Sequence, residues 1–146
     1  MRKALIVVMV VLIAMGLLFS VALFAHIPLG EPKLRIEFYP LPPWQVRAGD
    51  TFEVAMGIAN DGWLLAWAKN VRVLVLMPEG FTESYTGTNQ REMFFGTLHG
   101  GDGMGNTLSV LVSSSASSGT YIITLKVFGE NVPEKVLTPQ VEVLPL

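Results

Sequence analysis

The sequence predicts an all-β domain preceded by one N-terminal transmembrane helix. The domain is predicted to be a seven-stranded antiparallel β-sandwich, with a closed barrel as the structural alternative. Three observations predict this fold: an uncharged apolar run near the N-terminus, apolar–polar alternation with a period of two beyond it, and turn residues between the alternating stretches. The chain has 146 residues, enough for one domain. Hydrophobic residues make up 51% of it and charged residues only 15%. The apolar excess is concentrated in the N-terminal run.

The apolar run extends from Ala4 to Ala25 and contains no charged residue. As a helix it would be about 33 Å long, which is enough to cross a hydrocarbon core of about 30 Å. Arg2 and Lys3 precede it, so the positive-inside rule places the N-terminus in the cytoplasm. The sequence thus predicts a signal anchor over residues 1–25. The chain would cross the cell membrane once, contact the lipid bilayer through residues 4–25 and hold its C-terminal domain outside the cell.

Two alternatives to a retained anchor remain open. A cleaved signal peptide would be cut near Ala22 or Ala25, although such peptides usually have an apolar region of only about 7–15 residues. A pilin-type signal would instead be cut after Lys3, and the apolar helix would then pack into a filament. All three alternatives export the rest of the chain.

Beyond the anchor, residues 26–33 contain two prolines and a glycine and are predicted to be a linker, followed by a domain over residues 34–146. The first strand shows this alternation: Leu34, Ile36 and Phe38 would face the core. The residues that alternate with them form the polar face, namely Arg35, Glu37 and Tyr39. The predicted strands are Leu34 to Tyr39, Phe52 to Ile58, Val71 to Met77, Arg91 to Leu98, Thr107 to Val112, Thr120 to Phe128 and Gln140 to Leu144.

Composition excludes several classes of function. Of the ten Lys and Arg residues, Arg2 and Lys3 precede the apolar run, so eight remain against all twelve Asp and Glu. This acidic balance predicts no nucleic-acid partner. The absence of cysteine excludes disulfides, thiolate metal sites and cysteine nucleophiles. With two histidines and no nucleophile-elbow motif, the sequence predicts no catalytic residues and no enzyme activity.

A set of short motifs occurs in an order typical of one known group of domains. The motifs are VRAGDTF from Val46 to Phe52, IANDG from Ile58 to Gly62, AKNVRV from Ala68 to Val73, PEGF from Pro78 to Phe81, GTL from Gly96 to Leu98 and SGTY from Ser118 to Tyr121. Together they resemble the immunoglobulin-like domains of archaeal and bacterial surface proteins, the cell-adhesion-related (CARDB) and S-layer-associated group. The resemblance implies a seven-stranded immunoglobulin-like β-sandwich that acts as a spacer or adhesion module outside the cell and has no active site.

Tyr121 opens the sixth predicted strand. In immunoglobulin folds a tyrosine near this position can donate a hydrogen bond back to the preceding corner of the chain. The resemblance therefore implies such a bond here.

The loops offer few groups for metal or acid–base chemistry. Oxygen ligands suited to calcium occur at Asp50, Asp61, Asp102 and Asn106, but the single glycine-rich stretch from Gly100 to Asn106 cannot supply six ligands. We therefore predict no metal site and no cofactor. His99, beside this stretch, is predicted to be an exposed loop residue.

The segment Trp63-Leu64-Leu65-Ala66-Trp67 has four large apolar side chains, no charge and a position between a turn and a strand. In one interpretation two of the four fill an open end of the sandwich. In the other, Trp63, Leu64, Leu65 and Trp67 form an exposed patch for a partner subunit, a glycan or the membrane surface, since tryptophan favours interfaces. Four bulky groups are many for one end to bury, so we predict a partner-binding patch.

These observations predict a membrane-anchored extracytoplasmic interaction or structural domain. Its partner would be another envelope or membrane protein, and it would act as an accessory of a membrane complex. A filament or motility component, of the pilus or archaellum type, is the first alternative. A secreted adhesion or carbohydrate-binding domain is the second.

Overall fold

The computed structural model describes residues 2–25 and 30–146, and it describes side chains at residues 4–21 and 30–146. Helix α1 comprises Arg2–Ala25. Its stretch from Ala4 to Val21 has a mean hydropathy of 3.0, and none of it is buried against the rest of the chain. By length and composition this helix could span a membrane. The hydroxyl of Ser20 donates to the carbonyl of Gly16 at 2.8 Å, so this polar group is satisfied within the helix.

The rest of the described chain is built from β-strands. In chain order they are β1 (Leu34–Tyr39), β2 (Trp44–Arg47), β3 (Thr51–Asn60), β4 (Ala68–Leu76), β5 (Phe81–Glu83), β6 (Gln90–Leu98), β7 (Gly103–Val112), β8 (Gly119–Ile122), β9 (Thr124–Gly129), β10 (Val132–Leu137) and β11 (Gln140–Leu144). Residues 30–33, the described part of the predicted linker, belong to no helix or strand. The other part, residues 26–29, lies outside the described residues.

Three sheets share these strands. The first has the order β1-β3-β7-β5, the second β10-β9-β4-β6 and the third β2-β11-β8. All pairs are antiparallel except β2 and β11, which run parallel with Val141 opposite Trp44. Strand β6 runs along the whole of β4, since Leu98 pairs with Ala68 and Gln90 with Leu76.

One main hydrophobic core joins the three sheets. Alternate side chains of each long strand enter it, as the nearly complete burial of Val54, Met56 and Ile58 on β3 illustrates. The third sheet contributes Trp44, Val141 and Val143 to the same core. The apolar alternation in the sequence thus corresponds to the faces that the strands bury.

The all-β prediction is confirmed, but the strand count and the uniformly antiparallel pairing are wrong. The described residues form eleven strands rather than seven, because β2, β5 and β10 were not predicted and because one predicted strand is in fact two, β8 and β9. Two of these are only three or four residues long, and β10 contains Pro133 and charged residues, which is typical of an edge strand. The immunoglobulin-like arrangement of the sheets stays a prediction.

The predicted strand from Thr120 to Phe128 is two strands in different sheets. β8 pairs with β11, whereas β9 pairs with β4 and β10. The break falls at Ile123, whose side chain is fully buried, as are those of Leu125 and Val127. Because the apolar alternation continues through the break, the pattern could not reveal it.

Candidate functional site

The connection between β3 and β4 carries the four predicted partner-binding residues, and the structure divides them into two pairs. Trp63 and Leu64 are 53% and 55% exposed, whereas Leu65 and Trp67 are almost completely buried. We call the exposed pair, Trp63 and Leu64, the tip. The predicted exposed patch is therefore reduced to two residues, and the burial of the other two agrees with the alternative that two of the four fill one end of the domain.

Hydrogen bonds within the connection explain this division. The amide of Ala66 donates to the carbonyl of Trp63 at 2.9 Å, and the indole Nε1 of Trp67 donates to the carbonyl of Leu64 at 2.9 Å. The Trp67 ring also packs edge-on against the imidazole of His99, with 4.4 Å between their centroids. Leu65 and Trp67 thus form a small buried cluster that supports the tip from below.

Asn60, the last residue of β3, is a fully buried polar side chain that holds this end of the domain together. Its Nδ2 donates to the carbonyls of Ala66, at 2.6 Å, and Leu98, at 3.0 Å. Its Oδ1 accepts from the amides of Lys33, at 3.1 Å, and Gly62, at 3.0 Å. One carboxamide therefore links the start of the domain, the tip connection and the end of β6.

The turn after β6 packs closely against the tip connection. A Cβ at Gly100 would lie 1.8 Å from the carbonyl oxygen of Trp63, so only glycine fits there. Asp102 accepts from the His99 amide at 3.1 Å, and its carboxylate lies 3.2 Å from the His99 Nδ1. The predicted exposed histidine is thus half-buried, held between this aspartate and Trp67.

The chain enters the domain beneath the tip. Gly30 has a φ of +95°, and a Cβ there would lie 2.6 Å from the indole Nε1 of Trp63. Three residues later, the Lys33 carbonyl accepts from the Asp61 amide at 2.8 Å. The tip therefore lies at the end of the domain that is closest along the chain to α1.

The charges around the tip are of both signs. Arg35 Nε donates to Asp61 Oδ2 at 2.8 Å, and Arg35 also contacts the carboxylate of Glu37. The hydrogen bond from Arg35 lowers the pKa of Asp61, and the same contact raises the pKa of Arg35. Both side chains of this pair are about half exposed, so solvent screens them.

Three of the four loop residues considered as calcium ligands have other partners in the structure. Asp61 pairs with Arg35, Asp102 pairs with His99, and the Asn106 Oδ1 accepts from the next amide in the chain at 2.9 Å. Within residues 2–25 and 30–146, the described histidine and carboxylate side chains include no group of three that could hold a metal ion.

A second buried polar site, at Glu83 on β5, was not predicted from the sequence. Its side chain is fully buried and accepts from the amides of Tyr85, at 3.1 Å, and Thr86, at 2.7 Å, and from the Thr86 hydroxyl at 2.8 Å. Arg91 Nη1 donates to its other oxygen at 2.7 Å. Burial alone would raise the pKa of Glu83, but the hydrogen bonds from Thr86, the Arg91 charge and the Tyr85 amide outweigh it and lower this pKa.

A signal for this site exists in the sequence. Phe81 and Glu83 stand two residues apart, so the alternation of a strand puts the glutamate on the same face as a buried phenylalanine. A carboxylate on an apolar face needs donors, and Thr86 and Arg91 follow within eight residues.

Comparison with known proteins supports the fold. No protein-family model and no curated protein sequence matches the chain. Among solved structures, the chain is similar to the CARDB domain of a Pyrococcus furiosus protein, crystallised with two metal ions, at a TM-score of 0.55 and 18% identity over 81% of this chain and 93% of that one. The β domain thus has a CARDB-like fold, and the resemblance stated from the sequence motifs is confirmed.

A second similar structure belongs to an enzyme. It is a family 123 glycoside hydrolase from Clostridium perfringens, matched at a TM-score of 0.51 and 10% identity over 77% of this chain. The chain spans about a quarter of that enzyme, since 27% of its length is covered. The likeness is one of fold alone, and it gives no support for a catalytic role.

Proposed function

We propose that this chain is a membrane-anchored, extracytoplasmic CARDB-like domain that serves as an interaction or structural accessory of a membrane or cell-envelope complex. The observation that supports this proposal most strongly is the exposure of the apolar helix α1. Its apolar stretch from Ala4 to Val21 is wholly uncovered by the rest of the chain, so its side chains need an apolar surrounding from outside. A CARDB-like domain follows after a short linker.

The orientation follows from charge. Arg2 and Lys3 precede α1, and the positive-inside rule favours a cytoplasmic location for such residues. The β domain would then lie outside the cell at the membrane surface. Its eight Lys and Arg against twelve Asp and Glu make the domain acidic overall, which does not favour a nucleic-acid partner.

The proposed contact of the domain is the tip. Trp63 and Leu64 would make it, whereas Leu65 and Trp67 would support it from the interior. Because Gly30 lies under the Trp63 indole, the tip is on the side of the domain where the chain arrives from α1. Whatever binds there would therefore be met at the membrane, either a membrane protein or the bilayer.

The mature N-terminus tests the anchor. The full chain would be expressed in its native host, and the product in membranes and medium would be measured by intact mass. We expect the uncleaved chain in the membrane fraction, with the β domain digested by protease added outside intact cells. Loss of about three residues would favour a filament component, and loss of 22 to 25 residues with product in the medium would favour a secreted adhesion or carbohydrate-binding domain.

A further inference from the structure

We propose that the tip inserts into the lipid interface of the membrane that α1 spans, so that Trp63 and Leu64 hold the β domain against the bilayer in one orientation. The proposal rests on the membrane anchor argued above and names the contact of the same tip. It assigns to these residues a lipid surface rather than a protein.

The first argument is reach. Ala25 ends α1 and Gly30 is the first described residue of the following segment, so five peptide steps separate their Cα atoms. An extended chain of this length spans at most about 18 Å. The Trp63 indole lies against Gly30, so the tip cannot move far from the end of the membrane helix. The interfacial region begins where the apolar helix ends, which keeps the tip within reach of it.

The second argument is chemistry. An indole with an adjoining aliphatic side chain suits the interface, since tryptophan is enriched at the headgroup level and leucine favours the acyl region. The pair is too small for a stable protein–protein interface, which needs about 800 Å² from each partner. Two projecting apolar side chains are sufficient for shallow insertion when a membrane helix already supplies the affinity.

The third argument is rigidity. The bonds from Ala66 to the Trp63 carbonyl and from Trp67 to the Leu64 carbonyl fix the backbone on which the tip projects. Leu65 and Trp67 occupy the buried positions of this connection and leave Trp63 and Leu64 on its exposed side. Burial in the bilayer removes the apolar surface of the exposed pair from water.

The charges near the tip define what kind of membrane contact this is. Lys33 and Arg35 are offset by Glu31, Asp61 and Asp102, all of them exposed. A surface of mixed sign gives no polybasic attraction to anionic lipids. The contact should therefore depend on apolar insertion and change little with ionic strength.

The three tryptophans of the chain make this contact measurable. Trp63 is the exposed one, while Trp44 and Trp67 are 4% and 3% exposed, and α1 contains none. The full chain would be reconstituted in protein-free phosphatidylcholine vesicles, with some of the lipid brominated near the headgroup end of the acyl chains. We expect the brominated lipids to quench the fluorescence of Trp63 and the bilayer to protect Trp63 from quenching by aqueous iodide. Both effects should be equal at low and high salt. The W63F variant should lose the lipid-quenched component.

A matched pair of variants separates insertion at the tip from nonspecific binding of exposed apolar side chains to lipid. Leu64→Ser removes one inserting side chain and should reduce lipid quenching of Trp63 while raising its quenching by iodide. Leu41→Ser is the control, because Leu41 is 76% exposed and follows β1 at the end away from Leu34, which pairs with Asn60. It should leave both signals unchanged. Near-ultraviolet circular dichroism would establish that each variant keeps the native fold.

The outcomes distinguish the anchor from the docked tip. If the chain floats with the vesicles but Trp63 is quenched by iodide and not by brominated lipid, the docking is overturned and the anchor stands. If Trp63 is accessible in pure lipid yet protected in native membranes, a protein covers the tip and the lipid proposal is wrong. If the chain does not float with the vesicles, the membrane anchor itself fails.

Discussion

The two ends of β6 each meet a fully buried polar side chain, and the two differ in charge. At the Leu98 end, Asn60 makes four hydrogen bonds, two as donor and two as acceptor. At the Arg91 end, Glu83 also makes four, all as acceptor. Complete satisfaction is common to both, as burial of polar groups requires.

The hydrogen-bond donors and acceptors that surround each buried site determine which polar side chain can be buried there. Around Asn60 two carbonyls and two amides converge, which a neutral carboxamide can satisfy and a carboxylate cannot, because it donates nothing. Around Glu83 all partners are donors, one of them the Arg91 guanidinium. The tip end of the domain is thus held without charge, and the opposite end is held by a charge that titrates.

The largest expected effect is at Asn60. Asn60→Ala leaves the amides of Lys33 and Gly62 and the carbonyls of Ala66 and Leu98 without their partner. At about 1–3 kcal/mol for each unsatisfied group, and with water reaching some of them, we expect a loss of about 4 kcal/mol in the free energy of unfolding. Urea denaturation of the full chain in detergent would measure it.

The matched control for this prediction is Asn89→Ala, at an exposed asparagine, which should change stability little. A loss at Asn60 no larger than that at Asn89 would show that the carboxamide does not hold the tip end together.

A smaller effect, but one that depends on pH, is expected at Glu83. Glu83→Gln replaces one acceptor oxygen by an amide and removes the charge opposite Arg91, which should cost about 2 kcal/mol at neutral pH. The folded state lowers the pKa of Glu83, so its contribution is present above the ordinary glutamate pKa of about 4.3 and is lost as the pH falls through the lowered value.

Free energies of unfolding measured between neutral and acidic pH would test whether the stabilisation by Glu83 is lost on acidification. The wild-type chain and the Asn60→Ala variant should lose stability on acidification with the same slope, and Glu83→Gln should show a shallower one. Glu79→Gln, at an exposed glutamate, serves as control. If Glu83→Gln has the same dependence of unfolding free energy on pH as the wild-type chain, protonation of Glu83 does not cause the loss of stability in acid.

The sequence predicts what is local and periodic, and the remainder depends on distant partners. Period-two alternation located β1 and β3, and a nearly continuous apolar run located β4. The bond that Asn60 accepts from the Gly62 amide, two residues on, is equally local. The bonds of Asn60 to Lys33 and Leu98 join residues 27 and 38 positions away, and no local pattern encodes them.

The same limit applies to the candidate site. Composition identified the segment from Trp63 to Trp67 as unusual, because four large apolar groups occur there without a charge. Which of them project depends on contacts with residues distant in sequence, such as the bond from Asn60 to Leu98 and the close approach of Gly100 to Trp63. The division into a tip and a buried support was therefore accessible only from the structure.

The smallest expected effect is at Tyr121, near the Glu83 end. Its hydroxyl donates to the Ser117 carbonyl at 2.8 Å, as the resemblance implied, and its ring packs 4.9 Å from that of Phe81. Tyr121→Phe keeps the ring and removes the bond, so it should cost about 1 kcal/mol and lower the melting temperature by about 4 °C. Tyr85→Phe, at a tyrosine 79% exposed, should change neither. An unchanged melting temperature in Tyr121→Phe would show that the hydroxyl bond adds no stability and that the tyrosine acts through ring packing alone. Glu83 would then be the residue whose hydrogen bonds stabilise this end of the domain.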